Sequence, residues 1–212
     1  RSLLCGARCA YQRGELDQAQ LPDDPLELFT AWMEAAVQAG ELEPNAMALA
    51  TVSGEGQPHV RFVLLKDATP AGFVFFSNYE SRKGRDLEAV ARASLAFWWP
   101  RTERQVRVDG AVTKLAAAES DAYFHSRPRG SQVGAWAARQ GQPITDRREL
   151  EDAVERYTQQ FGAGPVERPP YWGGYVVTPE RMEFWQGRRD RLHDRFEYRR
   201  EAGGWGKRRL AP

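Results

Sequence analysis

Residues 46–78, AMALATVSGEGQPHVRFVLLKDATPAGFVFFSN, decide the fold class. Ala46–Val52 is a short apolar run. Ser53-Gly54-Glu55-Gly56 has the small polar composition of a turn. His59–Lys66 is a second extended run, and Pro70-Ala71-Gly72 turns the chain into a third, Gly72–Asn78. Runs of this length, bounded by turn residues, read as strands. Connections this short join antiparallel neighbours, because parallel strands need a long crossover.

The same pattern continues on both sides. Upstream, Asp23-Asp24-Pro25 is an acidic cap followed by proline in a first helical turn. Leu26, Phe29, Met33, Ala36 and Val37 then recur at helical spacing, and Gly40 is a plausible stop. Residues 1–22 are polar and mixed; they are expected to form a flexible arm or lid ahead of one domain over 23–212. Downstream, Ser81–Arg92 reads as a helix with Leu87 and Val90 inward, Ala93–Trp99 as a strand, and Glu103–Leu115 as a long strand that bends or bulges near Asp109-Gly110. Helices are expected at Ala117–His125, from Pro128 to about Gln140, and at Asp146–Phe161. Strands return at Trp172–Thr178, Arg181–Trp185, His193–Arg200 and Gly204–Leu210. Seven to nine strands with helices inserted late predict a mainly β chain with peripheral helices (α+β), an antiparallel barrel. Strand–helix alternation is missing, as is a G-x-G-x-x-G after a first strand, so a dinucleotide-binding fold is disfavoured.

Composition narrows the function. Lys and Arg number 30 against 29 Asp and Glu, which argues against a protein that coats nucleic acid by bulk charge. No apolar run is long enough to span a membrane, and Arg8 interrupts the short apolar stretch at the start. Cys5 and Cys9 have no nearby histidine for a zinc site; they are expected to be free thiols in a reducing cytosol, and no metal is expected.

Five segments place polar groups where a plain barrel has no use for them. Arg61 and Lys66 bracket an apolar run, which fits either a buried strand with charged ends or a ligand wall. In Ser77–Gly84 a strand runs through a turn into a helix start carrying Arg82-Lys83. Cations there oppose the helix dipole, whereas an anion bound there would be favoured by it. In Arg104–Val108, Gln105 and Arg107 share one face; Gln105 either meets a heterocycle with both its donor and its acceptor or lies on a half-exposed strand. In Tyr123–Gln132, Arg127 and Ser131 precede or open a helix and suit a second phosphate. Within Glu183–Arg195, Trp185, Gln186, Arg191, His193 and Arg195 crowd beside Gly187. On a strand, Arg191, His193 and Arg195 would point one way and repel unless an anion or acid sat among them; a structural role for His193 is the other reading. Two anion sites with aromatic walls suggest two phosphorylated ligands, one of them flat.

Six stretches, in the same order, resemble the pyridoxine/pyridoxamine 5′-phosphate oxidase family: RFVLLK (61–66), FFSNYESRKG (75–84), RQVRVDG (104–110), YFHSRPRGSQVGAW (123–136), WGGY (172–175) and MEFWQGRRDRLHDR (182–195). The resemblance implies an FMN-binding split barrel and a homodimer with the flavin at the subunit interface. On the family's pattern, Arg61, Phe62, Val63, Leu64, Leu65, Lys66, Phe76, Ser77, Arg82, Lys83, Gln105, Gln140, Gly141, Trp185 and Arg195 would bind FMN. Lys66, Tyr123, Arg127 and Ser131 would hold the substrate phosphate. Arg191, Leu192 and His193 would lie at the pyridine ring, with Arg191 and His193 as the catalytic pair, and Arg8 and Tyr11 would cover it. Cys9, Ala10, Phe76 and Gly141 depart from the family's commonest residues. The implied activity is oxidation of pyridoxine or pyridoxamine 5′-phosphate by O2 to pyridoxal 5′-phosphate in the cytoplasm. Two alternatives share many of these features: a split-barrel flavin oxidase for another aromatic substrate, such as a phenazine precursor, and a non-catalytic flavin or pyridoxal-phosphate carrier.

Overall fold

In the computed structural model, residues 10–212 are described; the expectations for Cys5, Arg8 and Cys9 lie outside them. The first helix, α1 (Pro25–Gln38), starts where Asp24 accepts from the Leu26 amide at 2.9 Å. It buries Leu28, Phe29, Trp32 and Ala36, while Val37 is exposed. Leu26 and Met33 pack partly buried against the same core, so of the expected stripe only Val37 faces solvent, and Trp32 joins the buried side. No helix among the described residues is long and apolar enough to cross a membrane.

The strands are β1 (Ala46–Val52), β2 (Pro58–Leu64), β3 (Asp67–Thr69), β4 (Gly72–Asn78), β5 (Arg92–Trp99), β6 (Arg104–Lys114), β7 (Trp172–Gln186), β8 (Asp194–Glu201) and β9 (Gly204–Leu210). The helices between them are α2 (Arg82–Ala89), α3 (Ala117–Ser126), α4 (Arg129–Ala137) and α5 (Arg147–Phe161). The nine strands of the described residues form one antiparallel sheet in the order β2-β1-β5-β6-β7-β4-β3, with β8 and β9 continuing from β7. The long β7 makes the split. Its first half pairs with β4, its second half with β8, and β6 runs along the opposite edge of both.

Sequence expected two strands where β7 is continuous. The chain absorbs the gap expected at Pro179-Glu180 as a bulge: Asp109 faces Arg181, and Gly110 faces Pro179. A Cβ at Gly110 would collide with the Thr178 carbonyl oxygen, so only glycine fits there. Other boundaries also move. The second strand stops at Leu64, and the added β3 follows it. Val90 caps α2 rather than lying within it, and α4 ends three residues before Gln140. The strand expected from His193 begins at Asp194.

The inner face carries Met47 and Leu49, Leu95 and Phe97, Val106 and Val108, and Met182 and Phe184, all nearly inaccessible to water. Phe29 of α1 packs edge-on against Phe73 and Phe97 at 4.9 and 5.1 Å. The outer face is different. Val60, Phe62, Leu64 and Trp98 stand 71%, 77%, 36% and 48% exposed beside Ala46, Ala48, Ala50 and Ala96. Alternation along the strands thus leaves a second apolar surface in contact with solvent.

Candidate active site

Three groups of side chains draw together most of the residues singled out in the sequence. The first surrounds the start of α2. Ser81 caps that helix: its hydroxyl donates to the Asn78 carbonyl at 2.7 Å and accepts from the Gly84 amide at 3.3 Å. Gly84 passes so close to the Tyr79 carbonyl that no Cβ fits. This tight entry turns Lys83 inward, where it is 9% exposed. Its Nζ donates to Ser81 Oγ at 3.3 Å and to Gln140 Oε1 at 3.0 Å, and Ser77 Oγ donates to the same Oε1 at 3.3 Å. Burial, reinforced by the charge of Arg61, lowers the Lys83 ammonium to about 8. Arg61 reaches across β1: Nη1 donates to the Leu49 carbonyl at 3.1 Å and to Thr51 Oγ1 at 2.7 Å, and Nη2 lies 3.6 Å from Asp86. Arg82 is exposed and close enough that its charge acts on Arg61. A buried ammonium whose acceptors among the described residues are neutral, flanked by two guanidinium groups, has the donor set of a phosphate cradle.

The second group is an aromatic wall on the other face of β4, where Phe76 and Ser77 are successive residues. Phe76 stacks on Tyr123 at 3.8 Å and on Trp172 at 5.5 Å. The Arg127 guanidinium lies 4.6 Å over Trp172, and its Nη1 is buried with no hydrogen-bond partner among the described residues. An unpaired buried guanidinium N–H is costly, and an anion or carbonyl oxygen would satisfy it. Ser131 opens α4 nearby in sequence and is exposed, as are Lys66 and Gly141.

The third group is a row across the outer face. Trp98 faces Gln105, Gln105 faces Trp185, and Trp185 faces Arg195 on four successive strands. Direct cross-strand neighbours share a face, so the row presents two indoles, an amide and a guanidinium together. Arg195 is held by Glu183, its Nε donating to Oε1 at 2.9 Å, and its Nη1 donates to the Ala211 carbonyl at 2.9 Å. His193 lies 4.5 Å from the Trp185 ring, and Tyr11 packs edge-on to both rings at 5.5 Å. Burial, then the charges of Arg191 and Arg195, lower the His193 imidazolium. The chain around Tyr11 is anchored from below: Glu103 accepts from the Gln12 and Arg13 amides at 2.7 and 2.9 Å, and Asp194 from the Leu16 amide at 3.1 Å. An open groove of about 490 Å³ runs between residues 11–15 and Arg188, Arg189, Asp190 and Leu192, a size suited to a small aromatic ligand, and Arg191 lines a neighbouring groove with Tyr11 and Gln12.

Some expected placements change. Arg191 does not alternate with His193 and Arg195 on a strand. It sits in a short 3₁₀ turn with φ +65°, after Asp190 at φ +56°. Two consecutive side-chain-bearing residues in the left-handed region are strained, and such strain is typical of functional loops. Leu192 is 69% exposed. Leu65 is buried in the core, Phe62 and Leu64 lie on the outer face, and Val63 points with Arg61 toward the inner one. Sequence reasoning did not single out Asp86, Trp98, Glu103 or Glu183. Each gains its role from a strand neighbour or a folded loop, so no local pattern marks it.

The first and third groups lie on opposite sides of the sheet. Arg61 shares a face with Leu49 and hence with Leu95 and Val108, whereas Gln105 belongs to the other face of β6. Three strand spacings, about 14 Å, also separate β2 from β6.

Residues 33–161 match the family model described as "Pyridoxamine 5'-phosphate oxidase", and residues 172–212 the model described as "Pyridoxine 5'-phosphate oxidase C-terminal dimerisation region". The chain is 54% identical over 206 residues to a protein of Bordetella pertussis named pyridoxine/pyridoxamine 5′-phosphate oxidase, covering 97% of each. It is 51% identical over 209 residues to one of the same name from Rubrobacter xylanophilus, covering 99% of this chain and 96% of that one. Among solved structures, PhzG from Burkholderia lata, in complex with tetrahydrophenazine-1-carboxylic acid, superposes with a TM-score of 0.90 at 28% identity, over 96% of this chain and 100% of that one. A pyridoxamine 5′-phosphate oxidase-related, FMN-binding protein from Nostoc punctiforme shares the fold with a TM-score of 0.72 at 16% identity, over 91% and 100%. With family models spanning most of its length and relatives above half identity, the chain belongs to the pyridoxamine 5′-phosphate oxidase family.

Proposed function

We propose that this chain is a pyridoxine/pyridoxamine 5′-phosphate oxidase that uses FMN, and that it works as a homodimer. Pyridoxine 5′-phosphate and O2 give pyridoxal 5′-phosphate and H2O2; the amine substrate also consumes water and releases ammonia. The buried Lys83, held among the described residues by neutral acceptors and pressed by Arg61, carries the reading, because an anion would complete it. Ser77, Arg61, Arg82, Lys83 and Gln140 are assigned to the FMN phosphate and its neighbourhood. Gln105, Trp185 and Arg195 are assigned to the ring end. Their opposite faces mean that one copy cannot close both ends on one flavin, so the second copy supplies the missing half. The exposed Val60, Phe62, Leu64 and Trp98 surface suits that contact.

When bound, FMN supplies a two-electron acceptor that O2 can reoxidise. The protein's contribution is placement and electrostatics. Arg127, with Tyr123, Ser131 and Lys66, is assigned to the substrate phosphate, so that remote binding energy fixes the reacting carbon. Arg191 supplies positive charge beside the pyridine ring. His193 is neutral near pH 7 because burial and two arginines disfavour its charged form. Its Nδ1 accepts from the Arg188 amide at 3.1 Å, so the proton sits on Nε2 and His193 enters as a hydrogen-bond donor. Tyr11 closes the side of Trp185 and His193 and excludes water from it.

The test is anaerobic. Visible spectra of FMN-loaded protein are recorded before and after adding pyridoxine 5′-phosphate, then after admitting air. Bleaching followed by recovery is expected. Bound flavin that never bleaches with either phosphorylated substrate would overturn the catalytic reading and leave a flavin carrier. The likeness to PhzG supports a second reading, a phenazine-type substrate, and a substrate panel on the same protein separates the two.

A further inference from the structure

Asp86 lies three residues after Lys83 on α2 and is 4% exposed. A buried carboxylate next to a cradle for a dianion repels that ligand, so its contacts matter. Asp86 Oδ2 accepts from Thr51 Oγ1 at 2.6 Å and from His59 Nδ1 at 2.9 Å, and faces Arg61 Nη2 at 3.6 Å. Thr51 links the two: its hydroxyl donates to Asp86 and accepts from Arg61 Nη1 at 2.7 Å. Burial alone would raise the Asp86 carboxyl. The hydrogen bonds from Thr51 and His59 and the charges of His59 and Arg61 outweigh it and keep the group ionised. Arg61 has strong reasons to leave. Burial disfavours its charge, Arg82 repels it, and its own charge in turn disfavours that of Lys83. A long side chain under such repulsion turns toward water unless a fixed counter-charge holds it.

We infer that Asp86 is a positioning residue: through Thr51 and directly, it holds the Arg61 guanidinium beside Lys83, so that the phosphate end of the flavin, and not its ring, depends on it. The inference rests on the FMN reading above. His59 donates to the same carboxylate oxygen, so the network draws on β1, β2 and α2.

The experiment compares FMN with riboflavin, which has the same ring and no phosphate. Apoprotein is titrated with each, following flavin fluorescence. In the wild type FMN should bind more tightly than riboflavin. Asp86→Asn keeps the shape and removes the charge; it should weaken FMN by roughly tenfold or more while riboflavin changes by less than about twofold. In an Arg61→Ala background the same substitution should have almost no further effect on the FMN-to-riboflavin ratio. Thr51→Val, which removes only the linking hydroxyl, should act in the same direction more weakly, and serves if Asp86→Asn fails to fold. Tighter FMN binding in Asp86→Asn would show that the carboxylate merely opposes the anion and would overturn the inference. Equal losses for both flavins would do the same, since they mark a purely structural role. Wild-type protein that binds no FMN would instead sink the functional reading itself, before any variant is compared.

Discussion

The Arg188 amide points at Nδ1 of His193, 3.1 Å away, and so decides which nitrogen of that ring carries the proton. The two replacements that each keep one nitrogen position therefore differ. His193→Asn retains an acceptor for Arg188 and loses the Nε2 donor. It should leave thermal stability nearly unchanged and lower kcat by on the order of 100-fold. His193→Gln should keep a donor near the Nε2 position and lose the loop contact, so it should lower thermal stability more than kcat. Steady-state rates and melting curves on both variants check this; a His193→Asn enzyme with near-normal kcat would remove the donor from the chemistry. Because the imidazolium is disfavoured, activity should hold through neutral pH and fall only on the acid side of histidine's ordinary range, where protonation breaks the Arg188 contact.

Arg191 stands in a strained turn whose side chain faces the groove rather than the cradle around Lys83. Arg191→Ala should therefore cost far more turnover than flavin affinity. Equilibrium FMN titration beside kcat measurement separates the two, and near-normal turnover would take Arg191 out of the site.

The Lys83 ammonium titrates at about 8 in the free protein, below the usual lysine value, because it is buried and faces Arg61. Bound phosphate favours the charged form and raises that value. The sign follows directly: below pH 8 the lysine is already charged and FMN affinity should change little on this account. Above pH 8 a proton must be taken up on binding, so affinity should fall, approaching tenfold per pH unit. Lys83→Ala should weaken FMN by roughly 10- to 100-fold and flatten the alkaline slope. Affinities measured from pH 7 to 9.5 check both; an unchanged slope in the variant would reassign it.

Phe62 is 77% exposed on the strand that also carries Arg61, pointing to the opposite side. Phe62→Glu should leave the monomer folded, since nothing in the core is touched. It should weaken the dimer by more than about 100-fold, through lost apolar burial and an unpaired charge. Light scattering coupled to size exclusion reads the mass. Flavin should be lost in parallel with the dimer; a dimer that survives would place the contact elsewhere.

Gly187 lies where a Cβ would come within 2.7 Å of the Tyr11 ring. Gly187→Ala should push Tyr11 off Trp185 and His193, raising KM for substrate several-fold while FMN affinity stays put. Combined with Tyr11→Ala, the two changes should not add, because they remove one contact. Additive effects would show that Gly187 acts through something other than Tyr11.

Much of this molecule was legible in one dimension. Strand and helix positions followed from apolar period and turn chemistry, since those depend on residues a few places apart. Asp109-Gly110 could be read as a bulge because glycine and aspartate mark one locally. The Arg82-Lys83 helix start drew notice because charge against a helix dipole is also local. Trp185, His193 and the arginines drew notice by crowding. Continuity of β7 through Pro179 was not legible, because only its pairing with β6 shows that the break is a bulge. The turn at Arg191 was not legible either, since alternation in sequence presumes a strand and the loop is shaped by contacts with Gln12, Glu15 and Asp194.

Sequence by itself thus determined the antiparallel class and the family resemblance, and it nominated most candidate ligand residues, all from neighbouring residues or motifs in order. Tertiary structure decided which of them meet. It set Lys83 against Gln140, 57 positions away, and Asp86 against Thr51 and His59. It also put Arg61 and Gln105 on opposite faces of one sheet. Those relations depend on strand register and on which way each Cβ points, and register is fixed only when the whole core packs.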